Sequence, residues 1–317
     1  MKWRNKNKDR FINRAPDVQV DHLRQLNRHG KLSVFVGAGI SQGCGLPGWD
    51  QLIDRVASRI PKGSLRFDLG AIEKLDNVTR TRIIRELLGK RFIYEVGQSL
   101  YETTHFLSHA VRAVASLGAD RICTYNFDDI LEEALAFEGV GFDSVTPGEP
   151  INNNFGGVNV YHVHGLLPSG ASLEACKEIA IVFDETDFNL LYSDPYSWAN
   201  LTQLSMLMSS SCLFVGCSMR DPNLRRLLDT CRRLKLTHKH FAIVQSPVQG
   251  KIGPDRLKAR QQRTALKLEL SSLNVEPIWI GEWSDLSQVL KSIRNKQNLV
   301  RQKDVGASPV NGGSAAP

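Results

Sequence analysis

The chain has 317 residues, 42% hydrophobic and 23% charged, an ordinary globular balance that excludes a disordered or fibrous protein and suits one large domain or two small ones. No apolar run approaches the roughly 18 residues of a membrane span, and the basic opening "MKWRNKNKDR" lacks the apolar segment of a secretion signal, so a cytoplasmic location is expected. The net charge of +7 suits an anionic ligand or partner, but the basic clusters at 2–14, 225–239 and 251–267 carry no interleaved aromatics; they read as solvated helix faces, and direct nucleic-acid binding is not expected.

Taken in chain order, short runs that are apolar on both faces fall at 33–36, 121–124, 158–163, 180–183, 212–215, 241–244 and 275–280. Such runs are how buried parallel strands look. Helical patterns occupy 49–59, 127–137, 222–234, 254–273 and 286–295, so strands and helices alternate and predict an α/β, Rossmann-like fold with a mostly parallel sheet. The stretch 61–117, which includes "VTRTRIIRELLGKRF" and "HFLSHAVRAVASLG", has helical periodicity and is too long for a simple connection. It is expected to be an inserted helical module. The domain layout that follows is a basic segment over 1–30, one α/β domain over 31–296, and a disordered tail over 297–317, ending in the small, polar "DVGASPVNGGSAAP".

The six cysteines are scattered, and no C-x-x-C pair occurs among them. Neither a zinc site nor a disulfide framework is indicated. Cys212 and Cys217 lie an odd number of residues apart, so a strand through both would point them to opposite faces.

Chemistry-bearing residues gather at strand ends. In "SVFVGAGISQGCGLPGW", Gly37, Gly39 and Gly43 follow a strand and precede a helix, which suits a phosphate cradle; a tight turn requiring φ > 0 reads equally well. In "ICTYNFDDILEEAL", Asn126 and Asp128 follow the second strand. Asp128 fits a helix N-cap, whereas Asn126 precedes the cap and would project from the strand tip. In "VNVYHVHGLLP", His162 and His164 share a strand face and could reach one site. No third ligand follows, so a metal is not expected, and Gly165 would allow close approach of a ligand. In "SCLFVGCSMRDPNLRRLLD", Asp221 and Pro222 are explained as cap and first helical residue, leaving Gly216 and Ser218 as candidates for a ribose or phosphate pocket.

In this order, "GAGIS", "TYNFDD", "HVHG" and "VGCSMRDPNL" resemble the sirtuin (silent information regulator 2-like) family, and most closely its bacterial defence-associated branch. The resemblance covers about 32–228 and implies a sirtuin-like fold. Sirtuin deacylases carry two C-x-x-C pairs, absent here, and an "FR" pair where this chain reads "PGWDQL"; both departures argue against a deacylase. The branch without the zinc ribbon implies hydrolysis of NAD+, which would deplete the cofactor in phage-infected cells. It implies His164 as general base, Asn126 holding the ribose or attacking water, and Asp128 supporting that arrangement. Gly37, Ala38, Gly39 and Ser41 would contact the phosphates, and Gly216 and Ser218 would line the nucleoside end. Trp49 either covers the nicotinamide-side pocket or is buried in the helical module. A non-catalytic sensor of NAD+ or ADP-ribose, and an ADP-ribosyl transferase or cyclase, remain alternatives. Because an ungated NAD+ hydrolase would poison its own cell, control is expected from homo-oligomerisation and a separately encoded partner. The resemblance suggests a HerA-type ATPase or an Argonaute-like protein for that role.

Overall fold

The computed structural model describes residues 15–61, 70–147, 149 and 156–307. Its elements in chain order are α1 (Ala15–Arg28), β1 (Leu32–Val36), α2 (Ala38–Gln42), α3 (Trp49–Ser58), α4 (Gly70–Glu73), α5 (Asn77–Leu88), α6 (Phe92–Leu100), α7 (His109–Ala115), β2 (Arg121–Thr124), α8 (Ile130–Phe137), β3 (Phe142–Val145) and β4 (Val158–His162). They continue with α9 (Glu185–Ser193), α10 (Trp198–Ser209), β5 (Ser211–Val215), α11 (Pro222–Arg233), β6 (His240–Gln245), α12 (Gly253–Ser272), β7 (Val275–Ile280), α13 (Leu286–Ile293) and α14 (Lys296–Ala307).

The strands form one sheet in the order β3-β4-β2-β1-β5-β6-β7, every pair parallel. Side chains alternate between two apolar layers. Val34, Val36, Leu213 and Val215 face one layer with α3, α6, α7 and α13. Phe35, Cys123, Cys212 and Phe214 face the other with α10 and α11. Burial on both faces is why these strands read as unbroken apolar runs. The sheet is a Rossmann-like α/β sheet, and β1 lies at its switch point: the chain proceeds to β2 on one side and to β5 on the other. Ligands bind in such sheets at the carboxyl ends of the strands flanking that switch.

Several expectations need correction. Residues 180–183 form no strand. They run extended along the end of β4, with the Val182 amide donating to His164 O at 2.9 Å, and their apolar side chains fill the two packed layers instead of a ladder. The polar "FDSV" edge strand, β3, gave no apolar signal. The second helix starts at Ile130 instead of residue 127, with Asp129 as its N-cap. Of the expected basic segment, residues 15–28 are α1, whose Leu23 is fully buried; residues 1–14 lie outside the described residues. The expected tail begins as helix α14. Its Asn298 and Gln302 side chains donate to Gly118 O and Ala119 O at 2.8 and 3.0 Å, fixing it beneath β2; residues 308–317 lie outside the described residues. Between β1 and β2 all regular structure among the described residues is helical. No described helix is long and apolar enough to cross a membrane.

Candidate functional site

The turn after β1 is held by the turn after β5. Gly37 N donates to Val215 O and Gly39 N to Gly216 O, both at 3.0 Å. The glycines are not required for left-handed backbone: Gly37 has φ −121° and Gly43 −63°. They are required for space, because a Cβ on Gly37 would fall 2.7 Å from Gly216 O and one on Gly39 3.0 Å from it. The left-handed residues lie opposite, at Gly216 (φ 67°) and Met219 (φ 58°). These curl the loop carrying Ser218 back toward β1. With the neighbouring amides committed, Ala38, an exposed residue that borders the groove, has no protein acceptor for its N–H among the described residues.

The turn after β2 carries a buried network. Asn126 Nδ2 donates to Ser41 Oγ at 2.8 Å and to Gly37 O at 3.3 Å. Ser41 Oγ in turn donates to Asp128 Oδ1 at 2.9 Å, and Asp128 Oδ1 also accepts from Ile130 N at 3.3 Å. Ser41 and Asp128 therefore fix the Asn126 carboxamide, whose Oδ1 has no protein donor among the described residues and can accept from a water or a ligand hydroxyl. Burial raises the Asp128 carboxyl to about 6, against the opposing hydrogen bonds from Ser41 and Ile130.

His162 and His164 do not share a site. His162 is fully buried and its Nε2 lies 2.6 Å from Glu132 Oε1; Glu132 also accepts from Ser144 Oγ at 2.8 Å. The strand ends at His162, and the turn carries His164 to the opposite side. There its ring lies 5.1 Å from Tyr125 and 5.6 Å, edge-on, from Phe188. Among the described residues no group of three His, Cys, Asp or Glu could hold a metal ion. His164 Nε2 is buried with no hydrogen-bond partner among the described residues. Burial lowers the imidazole pKa from its ordinary 6.5, while the charge of Asp221 and a backbone hydrogen bond to Tyr125 pull it upward. A neutral imidazole with an open nitrogen is a competent proton acceptor at neutral pH.

Two cavities meet at this imidazole. A groove of about 900 Å³ runs from Ala38 and Gly39 past Gly216, Ser218 and Asp221 to Trp283. A mostly apolar pocket of about 480 Å³ lies on the other side, walled by Leu52, Phe127, Phe183, Phe188 and Tyr192. Trp49, Tyr125, Asn126 and His164 line both. Both volumes lie within the range of small-molecule and cofactor sites. Trp49 is 38% exposed and packs on Phe183 with ring centroids 4.7 Å apart, so it divides the two spaces and is not buried in the helices.

The ten residues to which the resemblance gives roles all line one or both of these cavities, with Ser41 and Asp128 in the supporting network, whereas His162 does not. Sequence reasoning missed three neighbours. Tyr125 precedes Asn126 in the quoted motif, and its hydroxyl donates to Gln203 Oε1 at 2.8 Å. Asp221 caps α11, accepting from Leu224 N at 2.6 Å, and also borders the groove, a second role that capping concealed. Phe188 carried no signal, because its helix was not expected.

Curated relatives share this chain's length only in part. The NAD(+) hydrolase ThsA of Enterococcus faecium is 24% identical over 88% of this chain and 58% of that protein. The ThsA of Acinetobacter baumannii is 25% identical over 88% and 56%. Defense-associated sirtuin 2 of Bacillus subtilis is 22% identical over 72% of this chain and 22% of that protein. The chain therefore spans about half the length of the ThsA proteins it matches. A solved structure described as "Structural Basis for the Mechanism and Regulation of Sir2 Enzymes" aligns at a TM-score of 0.42 and 14% identity, over 90% of this chain and 98% of that one. The family model described as a SIR2-like domain matches residues 120–278, which take in Asn126, Asp128, His164, Gly216 and Ser218. With half of the chain matched, and the residues at the ends of β2, β4 and β5 that line the two cavities inside the match, the protein belongs to the SIR2-like domain family.

Proposed function

We propose that this domain cleaves the N-glycosidic bond of NAD+, giving nicotinamide and ADP-ribose, in the service of anti-phage defence by NAD+ depletion. The observation that carries this reading is the buried, unpartnered His164 Nε2 where a long groove meets a compact apolar pocket. The groove suits the ADP-ribose portion. Its phosphates would lie against Gly37, Ala38 and Gly39, and its nucleoside end against Gly216 and Ser218. The aromatic pocket beside Trp49 suits a flat pyridine ring. The relatives whose names say NAD(+) hydrolase support the same choice.

The leaving group explains the sparse machinery. The C1′–N bond breaks with its electron pair moving to the cationic pyridine nitrogen, so nicotinamide departs neutral and needs no proton. Paired carboxylates of the glycosidase kind are not required. The ribose becomes oxocarbenium-like, water oxygen bonds to C1′, and the proton lost from that water goes to His164 Nε2. Asn126 Oδ1 orients the water or a ribose hydroxyl. The ionised Asp128 behind it opposes the positive charge developing on the sugar. Gating by self-association and by a separately encoded partner, a HerA-type ATPase or an Argonaute-like protein, belongs to the same reading, as does a cytoplasmic setting.

The test is incubation of the purified protein with NAD+, with products separated and weighed. The expected result is free nicotinamide plus ADP-ribose carrying the added water. His164→Ala should lower turnover by roughly 10²–10⁴-fold, the range for loss of a general base, while ADP-ribose still binds. A product lacking the water would favour a cyclase, a label transferred to protein a transferase, and binding without turnover a sensor. Undiminished turnover in His164→Ala would end the assignment of the base.

A further inference from the structure

The pocket wall facing His164 is built on helix α9, and α9 is fixed to the helical module by one arginine. Arg85, on α5, places Nη2 2.5 Å from Asp187 Oδ2 and Nε 2.7 Å from Asp184 Oδ2. The first contact is a hydrogen bond; the second is a charge contact whose N–H is not aligned. The guanidinium also lies 4.7 Å over the Phe92 ring. Phe92 meets Phe183 edge-on at 5.3 Å, and Phe183 packs on Trp49. Asp184 is 2% exposed and caps α9 through Thr186 N and Asp187 N. Asp187 reaches back to accept from Phe183 N and Asp184 N. Among the described residues Arg85 is the cation paired with these two carboxylates.

This cluster continues directly to the site. The same segment gives Val182 N to His164 O at 2.9 Å. Six residues further on, Phe188 sets its ring at 88° to the imidazole. Gly165 is pressed so closely that a Cβ there would fall 2.2 Å from Ala180 O. Resting on the NAD+-cleavage reading, we propose that Arg85 is a positioning residue: by holding Asp184 and Asp187 it keeps the 180–188 segment strapped across His164 and so fixes and dehydrates the imidazole. Arg85 does not line either cavity, so it acts through the strap and not on substrate. Removing it leaves two neighbouring carboxylates, one of them buried, without their cation, an arrangement that relaxes by moving apart and taking in water.

Arg85→Ala is expected to lower kcat for NAD+ by about 10–100-fold, the scale of a small misplacement of a catalytic group. ADP-ribose affinity should change less than about threefold, because the groove is walled by other elements. Arg85→Lys, which keeps the charge but not the two-pronged geometry, should recover part of the loss. Histidine NMR, with His164 assigned from a His164→Gln spectrum, supplies a readout independent of turnover. In Arg85→Ala the His164 titration midpoint should rise toward its ordinary 6.5 as water reaches the ring. If Arg85→Ala does not fold, Asp187→Asn decides, with the same split of kcat from ADP-ribose affinity and the same upward midpoint expected. Native kcat with an unmoved His164 midpoint in a folded variant overturns the proposal. So does equal loss of turnover and ADP-ribose binding. If the unaltered protein releases no nicotinamide, the cleavage reading falls, and the NMR midpoint still tests the strap.

Discussion

Asp128 shows how a single residue can work against the fold and for the site. Its carboxyl is buried behind Asn126, and that burial lifts its pKa from 3.8 to about 6. The folded protein therefore holds the proton more tightly than the unfolded chain. The resulting stabilisation is complete below pH 3.8 and is lost as pH rises through about 6. At pH 8 the carboxylate is ionised at a cost of up to about 3 kcal/mol, taking ~1.4 kcal/mol per pKa unit. Asp128→Asn still accepts from Ser41 and Ile130 but carries no charge. It is expected to melt higher than the parent at pH 8, with the gain vanishing near pH 4, while, on the proposed NAD+-cleavage reading, turnover falls about tenfold or more because the developing sugar cation would lose its counter-charge. Thermal melts across pH 4–8 check the first half and steady-state kinetics the second. A variant destabilised equally at every pH would mean the carboxylate is not held at a cost. The residue itself was legible, because a strand tip followed by Asn-x-Asp points polar groups at the sheet's carboxyl edge. Its role as an N-cap was not correct. Helix α8 begins two residues later, and Asp128 is held by Ser41, 87 positions away in the chain, a partner no local pattern could supply.

At the scale of elements, legibility followed burial. Strands β1, β2, β4, β5 and β6 are interior, and the other edge strand, β7, is still mostly buried; burial of this kind writes itself into sequence as an apolar run. β3 pairs only with β4 and keeps Asp143 and Ser144 half-exposed, so its signature is weak. Residues 180–183 show the converse error: packing on both layers produces the same composition as a strand without the ladder. β6 joins β5 by an unusual device. The buried His240 accepts from Cys212 N through Nδ1 at 3.2 Å, and burial, followed by the charge of His238, lowers its pKa to about 3. A lowered pKa means the unfolded chain binds the proton more readily, so stability is full above pH 6.5 and drains as pH falls toward 3. Over that window the loss should reach a few kcal/mol, at ~1.4 kcal/mol per unit. His240→Gln offers an acceptor that does not titrate. Its urea-unfolding free energy should therefore fall less steeply between pH 6.5 and 4 than the parent's, even if it is lower at pH 7. A slope equal to the parent's would show that β6 does not contribute to acid sensitivity.

Across the whole molecule, stability and chemistry occupy opposite edges of the sheet. The candidate site lies at the carboxyl ends of β1, β2, β4 and β5. At the amino-terminal edge, α1 is fastened to the segments after α7 and α13. Asn27 Nδ2 donates to Leu117 O and Ile293 O, each at 3.0 Å. Asn295 returns a bond from Nδ2 to Asn27 O at 3.0 Å, and its amide donates to Leu117 O. Asn27 is 1% exposed, so water cannot replace what it provides. Asn27→Leu fills a similar volume but leaves the Ile293 carbonyl without its donor and Leu117 with one bond fewer. An unsatisfied buried polar group costs about 1–3 kcal/mol, which for a chain of this size lowers Tm by a few degrees. Because a whole sheet separates this clasp from His164, the NAD+ turnover proposed for this domain should, per folded molecule, match the parent's at temperatures below the transition. Differential scanning calorimetry and single-temperature kinetics on the same sample make the comparison. A drop in kcat without a drop in Tm would show that the two edges are mechanically coupled, and the division of labour between them would have to be abandoned.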